Sequence, residues 1–139
     1  MQCDLCKTLK EKKLVVFENK NAACILNIHP LSKAHLMIIP KRHVENLSDL
    51  TKKEREDFLE LLGKASTLVQ KYMKVDYCFI YIKEGSIKTE KHLHAHVLPI
   101  RIPIRHLLAS FLKVPPKKKA SIEQLIKIKE ELKEELKNL

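Results

Sequence analysis

Short apolar runs separated by polar turns open the chain, and longer stretches of three-and-four spacing follow. Leu14 to Phe17 is a β-branched apolar run, and Glu18-Asn19-Lys20-Asn21 reads as a turn. Ala22 to Ile28 is a second run, so the two predict a hairpin. His29-Pro30-Leu31-Ser32 is a loop. His35 to Ile39 predicts a third strand that stops at Pro40, which cannot donate to a ladder. Thr51, with Glu54 three residues on, predicts a capped helix start. Phe58, Leu61, Leu62, Ala65, Leu68, Val69 and Tyr72 then mark one apolar face of a helix of roughly five to six turns. Val75 to Ile82 predicts a fourth strand, Lys83 to Glu90 a polar loop, and His92 to Leu98 an alternating fifth strand ending at Pro99. Pro115-Pro116-Lys117-Lys118-Lys119 reads as a connector. Ser121 caps a final helix carrying Ile122, Leu125, Ile126, Lys129, Leu132 and Leu136 at helical spacing.

The 139 residues suit one core. The proposed division is 1–112 for the main domain, 113–120 for the basic connector and 121–139 for the amphipathic helix. No apolar run approaches the ~20 residues that cross a bilayer. The start, Met1-Gln2-Cys3-Asp4-Leu5-Cys6, lacks the basic-then-apolar pattern of a signal peptide, so a cytoplasmic protein with no membrane partner is expected. The formal charge of +10 favours anionic partners. Nucleic acid stays open without being favoured, because three Tyr, four Phe and no Trp offer little stacking surface. Cys24 and Cys78 sit in apolar stretches and read as core residues. Cys3 and Cys6 form a C-x-x-C pair, which is half a zinc site or a redox pair.

Strand alternation puts His92, His94 and His96 on one face, roughly 6.5–7 Å apart, with Leu93, Ala95 and Val97 facing the core. Three imidazoles in a row are poor core material, since each needs polar partners. Metal binding, acid–base catalysis and nucleophilic attack on phosphorus all suit such a row.

The string His92-Leu93-His94-Ala95-His96-Val97-Leu98-Pro99 resembles the signature of the histidine triad (HIT) family, His-φ-His-φ-His-φ-φ with φ apolar. Ala34-His35-Leu36-Met37-Ile38-Ile39-Pro40-Lys41-Arg42-His43 resembles the segment that precedes it in members. Cys3-Asp4-Leu5-Cys6-Lys7 is similar to the opening of many prokaryotic members. The resemblance covers about residues 1 to 100. It implies an α+β fold: a five-stranded antiparallel sheet with one long helix packed on it, here with a C-terminal helix added. It further implies a homodimer acting on a purine nucleotide or adenylated small molecule, as a hydrolase or nucleotidyl transferase working through a nucleotidyl-histidine. By position, His94 matches the nucleophile, His96 the histidine that contacts phosphate and helps the leaving group, and His35 a further site histidine. Asn27 matches a ribose-binding residue, Leu5 and Ile28 walls of the base pocket, and Thr89 a phosphate-binding hydroxyl. Lys88 replaces a glutamine, and the loop before the triad is about two residues short. Zinc-bearing members supply two histidines to the C-x-x-C pair, which correspond here to His43 and His92. Cys3, Cys6, His43 and His92 are thus the expected ligands of a structural zinc, and no catalytic metal is required. The alternative function is a nucleotide-sensing or nucleic-acid-binding module with weak catalysis, suggested by the lysine-rich tail and the altered loop.

Overall fold

The computed structural model describes residues 3–85, 90–115, 117 and 119–139. They form two compact units, 1–102 and 103–139. The first holds a five-stranded antiparallel sheet in the order β1-β2-β3-β5-β4. Its strands are β1 (Val15–Glu18), β2 (Ala22–Leu26), β3 (Leu36–Pro40), β4 (Cys78–Ile82) and β5 (Ala95–Pro99). The β1–β2 turn is closed by Asn19, whose side-chain oxygen accepts from the backbone N–H groups of Asn21 and Ala22.

One face of the sheet packs on the long helix α2 (Lys52–Met73). Ala22, Cys24, Leu36, Ile38, Ala95 and Val97 meet Phe58, Leu61, Ala65 and Val69 there. Burying a side chain such as Phe58 contributes roughly 2–3 kcal/mol. The helix start is as the sequence predicts: Thr51 Oγ1 accepts from Glu54 N–H at 3.2 Å, and Glu54 Oε2 accepts from Thr51 N–H at 2.8 Å. The buried stripe is narrower than the periodicity suggests, because Leu68 and Tyr72 lie open to solvent.

The opposite face carries a short helix, α1 (Asp4–Glu11), that the sequence pattern does not predict. Its Leu5 packs on Ile25, Met37 and Ile39. Period two along the strands therefore divides the sheet cleanly. Leu36, Ile38, Ala95 and Val97 face α2, while Met37, Ile39 and His96 face the α1 side.

β5 starts later than expected. His92 and His94 precede it, and only His96 lies within the ladder. The backbone leaves the sheet because Leu93 N–H donates to Val44 O at 2.7 Å, pairing this stretch with the loop after β3. The second unit contains α3 (Ile104–Phe111) and α4 (Ile122–Leu136), with Ser121 Oγ capping α4 at Gln124 N–H. The apolar row of α4, from Ile122 to Leu136, is exposed along its length. Among the described residues no helix is long and apolar enough to cross a membrane.

Candidate active site and metal centre

Backbone geometry fixes the tautomer of each imidazole at the site. A carbonyl oxygen can only accept, so a ring nitrogen facing one carries the proton. His94 Nδ1 lies 2.8 Å from His92 O and donates to it, which leaves a lone pair on His94 Nε2. A backbone N–H can only donate, and Leu31 N–H points at His35 Nδ1 at 3.1 Å. His35 therefore carries its proton on Nε2 and donates it to His96 Nδ1 at 2.8 Å. The remaining His96 nitrogen, Nε2, then bears a proton. Among the described residues it is buried with no partner. An unmet buried donor of this kind costs roughly 1–3 kcal/mol unless a ligand supplies an acceptor.

The rings of His94 and His96 stand edge to face, 4.9 Å between centroids. Tyr81, opposite His96 in the β4–β5 register, lies flat on that ring at 4.3 Å and 7°. Burial holds His35 below the ordinary histidine range. Burial, helped by the charges of His94, His35 and Lys83, pushes His96 down to about 4. Both rings are consequently neutral at pH 7. Each can donate from Nε2 without first shedding a charge.

Asn27 sits beside this chain of rings. Its Oδ1 accepts from His29 N–H at 2.8 Å, and its amide nitrogen lies 3.4 Å from His35 Nε2. Ile28 is largely exposed, whereas Leu5 is buried on the same sheet face as His96. Lys88 and Thr89 lie outside the described residues.

His92 turns away from the other two. Its Nε2 donates to Pro40 O at 2.8 Å, so the Nδ1 lone pair points the other way, toward the C-x-x-C pair. Cys3 Sγ and Cys6 Sγ each lie 3.4 Å from His92 Nδ1, and Cys6 Sγ lies 3.4 Å from His43 Nδ1. The four ligand atoms all fall within 4.8 Å of one another. A tetrahedral zinc with ordinary bond lengths sets its sulfur–nitrogen edges at about 3.5 Å, so the spacing fits a metal ion. The His92–Pro40 bond is the outer partner that metal-bound histidines ordinarily have. Burial, then the adjacent Cys3, raises the Cys6 thiol to about 11. A bound cation would replace that proton.

Several contributors are not readable from sequence. The Pro40 carbonyl and the Leu31 amide act through backbone, which no side-chain pattern reports. Tyr81 becomes a neighbour of His96 only once the β4–β5 register is known. Arg42 reaches Glu54 with Nε at 2.8 Å and its Nη2 at 2.9 Å, tying the residue before His43 to the cap of α2.

A family model described as HIT domain matches residues 8–102, well over half of the chain. The bis(5′-nucleosyl)-tetraphosphatase (asymmetrical) of Schizosaccharomyces pombe is 30% identical over 87 residues, 61% of this chain and 48% of that protein. The AP-4-A phosphorylase of Mycobacterium tuberculosis is 30% identical over 92 residues, 64% of this chain and 47% of that one. This chain thus spans about half or less of the length of the curated relatives it matches. The crystal structure of a histidine triad nucleotide-binding protein from Candida albicans superposes with a TM-score of 0.71 at 22% identity, covering 99% of each chain, and shares the fold. With the family match over 8–102 and the three histidines inside it, this chain belongs to the HIT-domain family.

Proposed function

We propose that this protein is a nucleotide hydrolase or nucleotidyl transferase that works at an α-phosphate through a covalent intermediate on His94. The observation that carries the reading is the paired orientation of two rings. His94 offers an unprotonated Nε2, and beside it His96 offers a protonated Nε2 with no partner among the described residues. His94 Nε2 attacks phosphorus and forms a P–N bond. The P–O or P–N bond to the leaving group breaks and its electron pair goes to the leaving atom, which takes a proton from solvent water where it needs one, while His96 keeps its Nε2 proton and donates a hydrogen bond to the departing group. Water, losing a proton to solvent, or phosphate in a phosphorolytic reaction, then attacks phosphorus and releases the nucleotide as the bond to His94 breaks. His35 holds His96 in the donating tautomer throughout.

Substrates of this type are adenylated compounds, including dinucleoside polyphosphates and phosphoramidates. The names of the fission-yeast and mycobacterial relatives support the class. Asn27 would bind ribose hydroxyls, and Leu5 and Ile28 would flank the base. Lys88 and Thr89 complete the proposed phosphate contacts. Cys3, Cys6, His43 and His92 would hold zinc, which supplies a closed four-coordinate cross-link between the N-terminus and the triad. Two free thiols in that role suit a reducing, cytoplasmic setting. Edge strand β4 has the uncharged sequence Cys78-Phe79-Ile80-Tyr81-Ile82, with Ile80 exposed, and suits pairing with a second copy in a homodimer.

His94→Gly should lower turnover of diadenosine tetraphosphate by at least about 10³-fold, as expected when a nucleophile is removed. Turnover that survives the substitution would sink the proposal.

A further inference from the structure

A hydrogen-bond donor serves a reacting phosphate only while it points at it. Such groups must be held within roughly 0.5 Å and 10–20° of the productive geometry, by neighbours whose own rotamers are locked. His35 fixes one corner of the His96 ring, through the 2.8 Å bond to Nδ1. One hydrogen bond at one corner leaves the ring free to tilt about it. The flanking strands decide the plane, and they differ. On β3, Met37 stands opposite His96, and an unbranched thioether fills space without imposing a plane. On β4, Tyr81 stands opposite, with its ring within 7° of parallel to the imidazole at a centroid distance of 4.3 Å.

Tyr81 is itself braced. Phe79, two residues earlier, shares its face of the strand, and the two rings stack at 5.2 Å and 26°. The other rings around His96 meet it at steep angles, His94 at 68° and His35 at 50°. Among the described residues, Tyr81 supplies the one ring that lies parallel to His96.

We propose that Tyr81 is a positioning residue: its ring, braced by Phe79, sets the plane of His96 and so aims the Nε2–H at the departing group. This role rests on the nucleotidyl-transfer reading. Tyr81 moves no proton and acts through His96. The ring face carries the effect, so a phenylalanine can replace it and an aliphatic side chain cannot. A donor that is poorly aimed still lets substrate bind, and the loss falls on the transition state.

The test compares wild type with Tyr81→Phe and with two aliphatic variants, Tyr81→Ile and Tyr81→Met, either of which suffices if the other does not fold. Carbon-13 relaxation of the His96 ring measures its order parameter, and kcat and KM are measured on diadenosine tetraphosphate. The aliphatic variants should lower the order parameter. They should also lower kcat at least about tenfold, within the roughly 10²-fold that a misplacement of about 1 Å can cost, and leave KM within about twofold. Tyr81→Phe should keep the order parameter and kcat near wild type. In a His96→Gln background the same aliphatic substitution should lower kcat by no more than about twofold, because the residue it acts through is gone. A His96 ring as rigid in the aliphatic variants as in wild type, or an unchanged kcat, overturns the proposal. So does a loss that Tyr81→Phe shares, or one that persists undiminished without His96. If the wild type turns over no adenylated substrate, the nucleotidyl-transfer reading fails, and the relaxation data still decide whether Tyr81 holds the His96 ring.

Discussion

Substituting Glu54 by Gln removes one charge from a joint between the metal-side loop and α2. The carboxylate accepts from Arg42 Nε and Nη2 at 2.8 and 2.9 Å, and from Thr51 N–H at 2.8 Å. A charge-assisted, bidentate pair of this kind contributes roughly 1.5–3 kcal/mol where solvent is excluded. The Arg42 side chain is 51% exposed, so screening reduces the figure. The cap of α2 is kept in part by the amide oxygen of the glutamine. The expected cost at pH 7 is about 1–2 kcal/mol. The pH dependence gives the sharper check. The Arg42 guanidinium, with Thr51, lowers Glu54 from its ordinary 4.5 to about 2. A carboxylate held below its unfolded value stabilises the fold above about pH 4.5, and that stability is lost as pH falls toward 2. Urea unfolding of wild type and Glu54→Gln, run from pH 7 to pH 2.5, should show a gap that narrows through this window. A gap that stays constant with pH, or a cost below about 0.3 kcal/mol at pH 7, would refute the ion-pair account.

Two further outcomes follow from the site. A chelator strong enough to strip zinc should lower the midpoint of thermal unfolding by roughly 10–20 °C, given about 4 kcal/mol for a ligand at 1,000 times its Kd. Cys6→Ser should abolish that response, and an unchanged midpoint in the wild type would remove the metal cross-link. His96, pushed down to about 4, binds fewer protons in the folded chain than in the unfolded one between about pH 6.5 and pH 4. Folding stability should fall as pH drops through that window, and His96→Gln should flatten this part of the urea-unfolding profile; an equal slope in both proteins would contradict the buried neutral ring.

Features written in local chemistry were the legible ones. The Thr51–Glu54 capping box forms both of its bonds, because side chain and partner lie three residues apart in any helix start. β2 and β3 follow from unbroken apolar runs, which suit strands buried on both faces. The grouping of Cys3, Cys6, His43 and His92 is legible only through family resemblance, since those residues come from three separate stretches. α1 escaped the pattern because eight residues give Leu5 and Leu9 one helical interval, too little to establish a period. The start of β5 escaped it because alternation reports side-chain direction and not the hydrogen bond from Leu93 to Val44 that bends the backbone. That bend separates the triad: His92 points to the thiols, and His94 and His96 stay together.

The most direct test of the central claim is mass spectrometry of the protein quenched in acid-free denaturant during turnover of an adenylated substrate. An adenylyl adduct on His94, absent from His94→Gly, is the result the account predicts. Turnover with no adduct on any histidine, or with the adduct on another residue, would contradict it.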